Sequence, residues 1–338
     1  MNEDIIKVTN LQKNFTKIIK EPGLYGAFKS FIKPDKQKFE AVKSLSFSVQ
    51  KGQILGLIGT NGAGKSTVIK MLTGILTPSS GECIINNKIP TINRTEYVKE
   101  IGVVFGQRTQ LWWDLPLRET FTMLKEIYEI PTNLFNKRLE FLNEVLDLSS
   151  FINDPVRTLS LGQRMRADIA ASMLHNPKIL FLDEPTIGLD VSVKDNIRKA
   201  IKLINKEEQT TIILTTHDIS DIENLCDRIL MIDKGEAIFD GSLMSLKKQY
   251  GGMDTLNFTL DNNQDISNLK LEKLDNIEII KSNVNLTVKY DSHQYQTTEL
   301  IMEVINAVSV KDISMQDCSI EEIIKSFYNK EIRIDPGN

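Results

Sequence analysis

The chain has 338 residues, room for one large domain and a small one. Lys and Arg number 41 against 45 Asp and Glu, a formal net charge of −4, which leaves no global basic field for nucleic acid. No apolar run approaches the roughly 18 residues of a membrane-spanning helix, and Cys83, Cys226 and Cys318 lack metal-ligand spacing and fit a reducing cytosol. The acidic start "MNEDIIKVTN" reads as a strand, not as a secretion signal.

Residues 1–15 carry the strand-like run "IIKVTNLQKNF". Residues 16–38 interrupt it with six lysines against two acids. Within "EPGLYGAFKSFIKP", Pro22 suits the first turn of a helix, and Leu24, Tyr25, Phe28, Phe31 and Ile32 fall on one side at helical spacing, beside Lys29 and Lys33. This basic amphipathic pattern fits a helix at a membrane surface or membrane subunit; the alternative is a solvated loop whose apolar stripe packs on the main domain. Strands resume at 39–58: "SLSFSVQ" alternates like a half-exposed antiparallel strand, and "QILGLI" is continuously apolar, like a strand buried on both faces.

Directly after it comes "GTNGAGKST", Gly59 to Thr67, and then the helical pattern "TVIKMLTGIL". This is the G-x-x-x-x-G-K-[ST] loop in the strand-to-helix context it requires. Gly59, Gly62 and Gly64 let successive backbone N–H groups, those of Asn61 and Thr67 included, turn toward phosphate oxygens, and the helix N-terminus adds its dipole. In this pattern Lys65 reaches the β- and γ-phosphates and the Ser66 hydroxyl ligates Mg²⁺, so the expected ligands are ATP and Mg²⁺.

Residues 108–165 change character. Phe121, Leu124, Ile127 and Tyr128 recur at helical spacing, as do Leu139, Leu142, Val145 and Leu146, so a helical subdomain interrupts the α/β core. It begins after Gln107 and ends in "LSLGQ", where Ser160, Gly162 and Gln163 open a helix. A helix N-terminus with a serine hydroxyl and N–H donors is an anion site.

"PKILFLDEPTIGLD" supplies a buried strand ending in Asp183 and Glu184. An acid at such a strand end can hold the Mg²⁺ shell. Consecutive strand residues point to opposite sides, so the two acids are expected to differ in role: Asp183 toward the metal, Glu184 as the base for a water attacking the γ-phosphate. A further strand, "TTIILTTHD", ends at His217, in reach of the γ-phosphate or that water. All three motifs fall at strand C-terminal ends, where open α/β sheets bind ligands. One phosphate loop already surrounds one triphosphate, so the anion site at Ser160 is explained if it serves another copy's nucleotide in a twofold head-to-tail dimer.

With these motifs in this order, the chain resembles the ATP-binding subunit of ABC transporters over about residues 1–245. The resemblance implies a P-loop α/β core with an antiparallel β subdomain, an ATP sandwich dimer, Glu184 as catalytic base, Asp190 of "GLD" communicating between sites, and Gln107 sensing metal and permease. It also implies an aromatic stacked on adenine: Phe15 matches the position, with Phe39 the other candidate. Leu161 departs from the family's usual glycine, while Ser160, Gly162 and Gln163 remain.

"GVVFGQRTQLWWDLP" and "LSLGQRMR" look like ATPases paired with ABC-2-type export permeases, and "VKDISMQDCSIEEIIKSFY" resembles a C-terminal module of that group. Residues 253–330 are accordingly expected to form a small α+β domain without chemistry of its own. Trp112 and Trp113 are either a permease contact or core. The leading expectation is the ATP-hydrolysing motor of an ABC-2-type exporter, a homodimer or heterodimer of ATPase subunits held by separate permeases at the cytoplasmic face of the membrane. The alternatives are the ATPase of a polysaccharide or lipid-linked exporter, for which the 16–38 insertion speaks, and a soluble non-transport ABC ATPase; an importer is disfavoured by the C-terminal resemblance.

Overall fold

The computed structural model describes residues 3–19, 35–106, 108–251, 253–261, 277–291, 294–316 and 319–328. Gln107, Cys318 and the apolar stripe of the insertion, Leu24 to Ile32, lie outside the described residues. The chain divides into two compact units, residues 1–242 and 243–338.

The first unit opens with β1 (Asp4–Ile19) and β2 (Asp35–Gln50), paired antiparallel and joined by β4 (Ser80–Ile85) in a three-stranded sheet of order β2-β1-β4. Alternation in β2 buries Leu45, Phe47 and Val49 and exposes Ser44 and Ser46. The pairing continues as far as Ile18↔Lys36 and Ile19↔Asp35. Residues 16–19 and 35–38 are therefore the arms of one long hairpin, and the interruption read from the sequence begins later than residue 16. Backbone pairing overrides the local lysine content, and Lys38 stands exposed on β2.

A six-stranded sheet forms the centre. It comprises β3 (Ile54–Gly59), β5 (Ile101–Phe105), β6 (Ile179–Asp183), β7 (Thr211–Thr215), β8 (Arg228–Asp233) and β9 (Glu236–Gly241), in the order β5-β6-β7-β3-β8-β9. All neighbours are parallel except β8 and β9. Every residue of β3 and β7 is buried, the signature of strands covered on both faces. Side chains from both sheets meet around α1 (Lys65–Leu72): Ile6, Val8 and Phe47 join Leu55, Leu57, Val68 and Ile69 in one core. Burying one such aliphatic side chain contributes about 1.5–3 kcal/mol. Tyr97, on α2 (Arg94–Val98), is fully buried and donates its hydroxyl to Leu72 O at 2.6 Å.

The helical segment contains α3 (Leu117–Ile127), α4 (Thr132–Leu146), a 3₁₀ turn at Val156–Thr158 and α5 (Leu161–Met173). Phe121, Leu124, Leu142 and Leu146 are buried as their spacing predicts, but Ile127 at the end of α3 is exposed. Tyr128 stacks on His175, ring centroids 4.0 Å apart. Two further helices, α6 (Val191–Glu208) and α7 (Ile219–Leu225), follow β6 and β7.

The second unit begins with α8 (Leu243–Tyr250), ten residues before the expected start at Met253. Strands β10 (Met253–Leu260), β11 (Ile277–Ser282), β12 (Asn285–Asp291) and β13 (Val310–Gln316) form an antiparallel sheet of order β11-β12-β10-β13. Its alternating Leu256, Phe258, Leu286, Val288 and Tyr290 pack against Leu300 and Val304 of α9 (Thr297–Ala307). The last helix, α10 (Ile320–Tyr328), sets Phe327 edge-on against Tyr250 of α8. Among the described residues no helix is long and apolar enough to cross a membrane.

Candidate active site

The C-terminal ends of β3, β6 and β7 converge on a cleft of about 1010 Å³ lined by Gly59, Asn61, Ser66, Asp183, Glu184 and His217 among others. The loop between β3 and α1 needs its glycines for two different reasons. Gly62 has φ +85° with open space where a Cβ would be, so backbone conformation alone demands glycine. Gly64 has φ +113°, and a Cβ there would stand 2.6 Å from Ala41 O. Thr67 follows in the first turn of α1.

Lys65 is buried, and its Nζ donates to Gly59 O at 2.7 Å and Thr60 O at 3.2 Å. Burial pushes its pKa below the ordinary lysine range, while the charges of Glu184 and Asp183 pull it back up. The ammonium is thus anchored beside the loop by the carbonyls of the loop itself.

Asp183 gathers two hydroxyls: Ser66 Oγ donates to its Oδ1 at 3.5 Å and Thr215 Oγ1 at 2.5 Å. A hydroxyl and a carboxylate brought together in this way are the hard oxygen donors that suit Mg²⁺. Glu184 has φ +56°, uncommon for a residue with a side chain. Its N–H donates to Thr215 O at 3.0 Å. The strand ends at Asp183, so strand alternation does not separate the two acids. Both line the same cleft, and the turn at Glu184 gives them different partners. Glu184 Oε1 lies 3.4 Å from His217 Nδ1, the histidine being largely exposed and two residues beyond the end of β7.

Of the neighbours of Gln107 in the chain, Gly106 N donates to Asp183 O at 2.8 Å and Arg108 lines the cleft. Sequence reasoning missed Thr215, Lys70 and Arg108. Lys70 was legible, since it stands four residues after Ser66 and helical spacing returns it to the same face. Thr215 meets Asp183 only through the parallel register of β6 and β7.

Ser160, Gly162, Gln163 and Asp190 are not among the residues lining this cleft. Ser160 caps α5: its Oγ accepts from Gln163 N at 3.2 Å, and Gln163 Oε1 accepts from Ser160 N at 2.9 Å. Two donors expected for an anion are therefore satisfied within the chain, and the exposed hydroxyl keeps its own proton to give. Gly162 is buried, and a Cβ there would meet Val193 Cγ1 of α6 at 2.6 Å. Leu161 is half exposed and reaches to 3.5 Å from the Cβ position of Gly188, in the turn before Asp190. Asp190 stands exposed at the N-cap of α6 without a side-chain cap bond. Trp113 is exposed with the Arg164 guanidinium 4.5 Å over its ring, while Trp112 is half-buried. Phe15 and Phe39, both exposed, are direct cross-strand partners and do not line the cleft.

A family model described as "ABC transporter" matches residues 42–187, the span from the phosphate loop through Glu184. The ATP-binding protein NatA of an ABC transporter in Bacillus subtilis is 34% identical over 214 residues, 63% of this chain and 86% of that protein. The chain belongs to the ATP-binding proteins of ABC transporters. This ATP-binding subunit is also similar to the linearmycin resistance ATP-binding protein LnrL of B. subtilis, 28% identical over 86% of the chain and 94% of that protein. It is 35% identical to ABC transporter A family member 1 of Dictyostelium discoideum over 68% of its own length, but spans only 26% of that protein. Among solved structures, the dimeric bacterial cassette MJ0796 aligns with TM-score 0.58 and 26% identity, covering 70% of this chain and 98% of that one. The subunit is thus a cassette ATPase: it binds ATP and hydrolyses it.

Proposed function

We propose that this ATPase works as a dimer of cassettes and drives export through separate ABC-2-type transmembrane permeases, at the cytoplasmic face of the membrane. One observation carries the reading. The cleft gathers Ser66, Asp183, Glu184 and His217 from one chain, with Lys65 buried on the phosphate loop within electrostatic reach of both acids, whereas Ser160 and Asp190 sit on exposed turns outside it. A second copy brings those turns to the nucleotide, and the similarity to the dimeric cassette MJ0796 supports that arrangement. The export direction rests on the motif resemblance around Gln107 and Ser160, and no cargo is assigned.

The chain's own groups divide the work. Glycine-freed amides and Lys65 bind the β- and γ-phosphates. Ser66 and Asp183, with Gln107, hold Mg²⁺, which when bound neutralises phosphate charge and polarises the γ-phosphorus. Glu184 takes the proton from the attacking water, and His217, 3.4 Å away, orients that water or the γ-phosphate. Phe15 or Phe39 stacks on the base. A second reading, the ATPase of a polysaccharide or lipid-linked exporter, is favoured by the basic insertion, whose arms close the β1–β2 ladder at Ile19↔Asp35.

Phosphate release by the full chain, alone and with its permeases, tests the assignment. Glu184→Gln is expected to bind ATP normally and lose about 10²–10⁴-fold in turnover, because the amide accepts no proton. Lys65→Ala is expected to weaken ATP binding itself. Wild-type turnover in Glu184→Gln would remove Glu184 as the base.

A further inference from the structure

Asp221, in the first turn of α7, is fully buried, yet no ligand-facing role falls to it. A buried carboxylate is retained only when its oxygens are matched by donors. Here the donors come from three separate segments. Arg198 of α6 gives Nε to Oδ1 at 2.6 Å. Thr216 Oγ1 donates to Oδ2 at 2.8 Å, and Thr186 Oγ1 donates to the same oxygen. Ionic compensation needs Arg198 alone. The two hydroxyls are additional, and their places in the chain are informative: Thr186 lies two residues after Glu184, and Thr216 immediately precedes His217.

One carboxylate oxygen therefore fastens together the two loops that carry Glu184 and His217. The surrounding bonds stiffen the same unit. Thr216 Oγ1 accepts Asp218 N at 3.0 Å, and Asp218 Oδ2 takes Lys194 Nζ at 2.6 Å and Arg198 Nη2 at 3.4 Å. Arg198 Nη1 also reaches Asp195 Oδ1 at 2.9 Å. Glu184 itself occupies a backbone region that persists only where neighbours over-determine it.

We propose that Asp221 is a positioning residue for ATP hydrolysis, acting through Thr186 and Thr216 to hold Glu184 and His217 at their working separation. This rests on the assignment of Glu184 as base. Loosening either threonine lets one loop drift, and general-base catalysis is lost steeply with small misplacement. Nucleotide binding, which depends on the phosphate loop and Lys65, is untouched.

The test uses the purified full chain with Mg²⁺-ATP, measuring kcat, KM and the affinity for a fluorescent ATP analogue. Thr216→Val and Thr186→Val each keep the Asp221–Arg198 ion pair. Each is expected to lower kcat at least tenfold with KM and analogue affinity within twofold, and Thr216→Ser to restore turnover. Adding Asp221→Asn to Thr216→Val is expected to cost less than the product of the two separate losses, because they break one linkage. Wild-type kcat in both valine variants, or equal loss of kcat and analogue affinity, would overturn the proposal. Glu184→Gln measured alongside keeps the two claims apart. If it hydrolyses normally the base assignment falls; if it is inactive while the valine variants turn over normally, only the role of Asp221 falls.

Discussion

Phe15 on β1 and Phe39 on β2 face each other directly across the ladder, both exposed, with Lys13 Nζ 5.4 Å from the centre of the Phe15 ring. Paired residues of an antiparallel ladder lie on one face, so the two aromatics read as alternatives in the sequence form a single apolar spot.

If adenine stacks there, each ring contributes on its own. Phe15→Ala and Phe39→Ala should each weaken a fluorescent ATP analogue by about 2–10-fold, on the order of 0.5–1.5 kcal/mol. A titration showing loss in one variant alone identifies the stacking ring. No loss in either would place the base elsewhere.

Ser160 caps α5, and substitution separates that duty from the proposed contact with a partner's nucleotide. Ser160→Ala removes the cap of α5 and should lower stability by about 0.5–2 kcal/mol in denaturant unfolding. Ser160→Asp keeps a good cap but sets a negative charge against the partner's triphosphate. In a Glu184→Gln background with ATP, Ser160→Asp should retain its unfolding midpoint and run as a monomer in sizing chromatography, where Glu184→Gln alone runs as a dimer. A dimeric Ser160→Asp variant would argue against the contact across copies.

Gly162 lets α5 and α6 approach. Gly162→Ala drives its new methyl into Val193 Cγ1, 2.6 Å from the Cβ position. The stiff β-branched valine has little room to turn, so the change should destabilise by about 1–3 kcal/mol. Val193→Ala in the same chain should recover most of it. Full stability of Gly162→Ala alone would show that the helices slide apart without cost.

Two buried groups make opposing contributions between pH 4 and 6. Asp168, on α5, accepts from Thr109 Oγ1 at 3.0 Å and Gln110 N at 3.1 Å, and burial pushes its pKa up to about 6 despite those bonds. The folded state then holds its proton more tightly than the unfolded chain, so this group favours folding at low pH and loses that contribution as pH rises through 6. His175 runs the other way. Its Nε2 meets Ile101 O at 2.9 Å, which makes Nε2 the protonated nitrogen, and Nδ1 has no hydrogen-bond partner among the described residues. Burial lowers its pKa to about 4, so its contribution is lost as pH falls through 4. Asp168→Asn should therefore expose the histidine term. Thermal unfolding of that variant between pH 4 and 7 should show stability rising with pH more steeply than in the wild type. Parallel curves would remove Asp168 as a titrating group.

Much of the site was legible because it is local. The phosphate loop is written within nine residues, Gly59 to Thr67, and its glycines and helix start act over that same distance. Strands β3 and β6 announced themselves as apolar runs, as strands covered on both faces do, and β7 as a Thr- and Ile-rich run. The helix start at Ser160 was legible too, though it was read as an anion site and not as a capping box with Gln163.

Tertiary structure decided the rest, because its determinants lie far apart in the chain. That Thr215 joins Ser66 on Asp183 follows from the register of β6 against β7, which depends on how both strands pack and not on either one's residues. That Glu184 turns into the cleft beside Asp183 follows from its left-handed backbone and its bond to β7. Asp221 read as one more acid on a short helix; only folding brings Thr186, Arg198 and Thr216 to it and removes the water that would otherwise satisfy its charge. The motifs by themselves determined which chemistry this protein performs, since each is a short stretch of backbone and side chain with its own stereochemistry. The fold alone decided how those motifs are held against one another, since burial and pairing are properties of the whole chain.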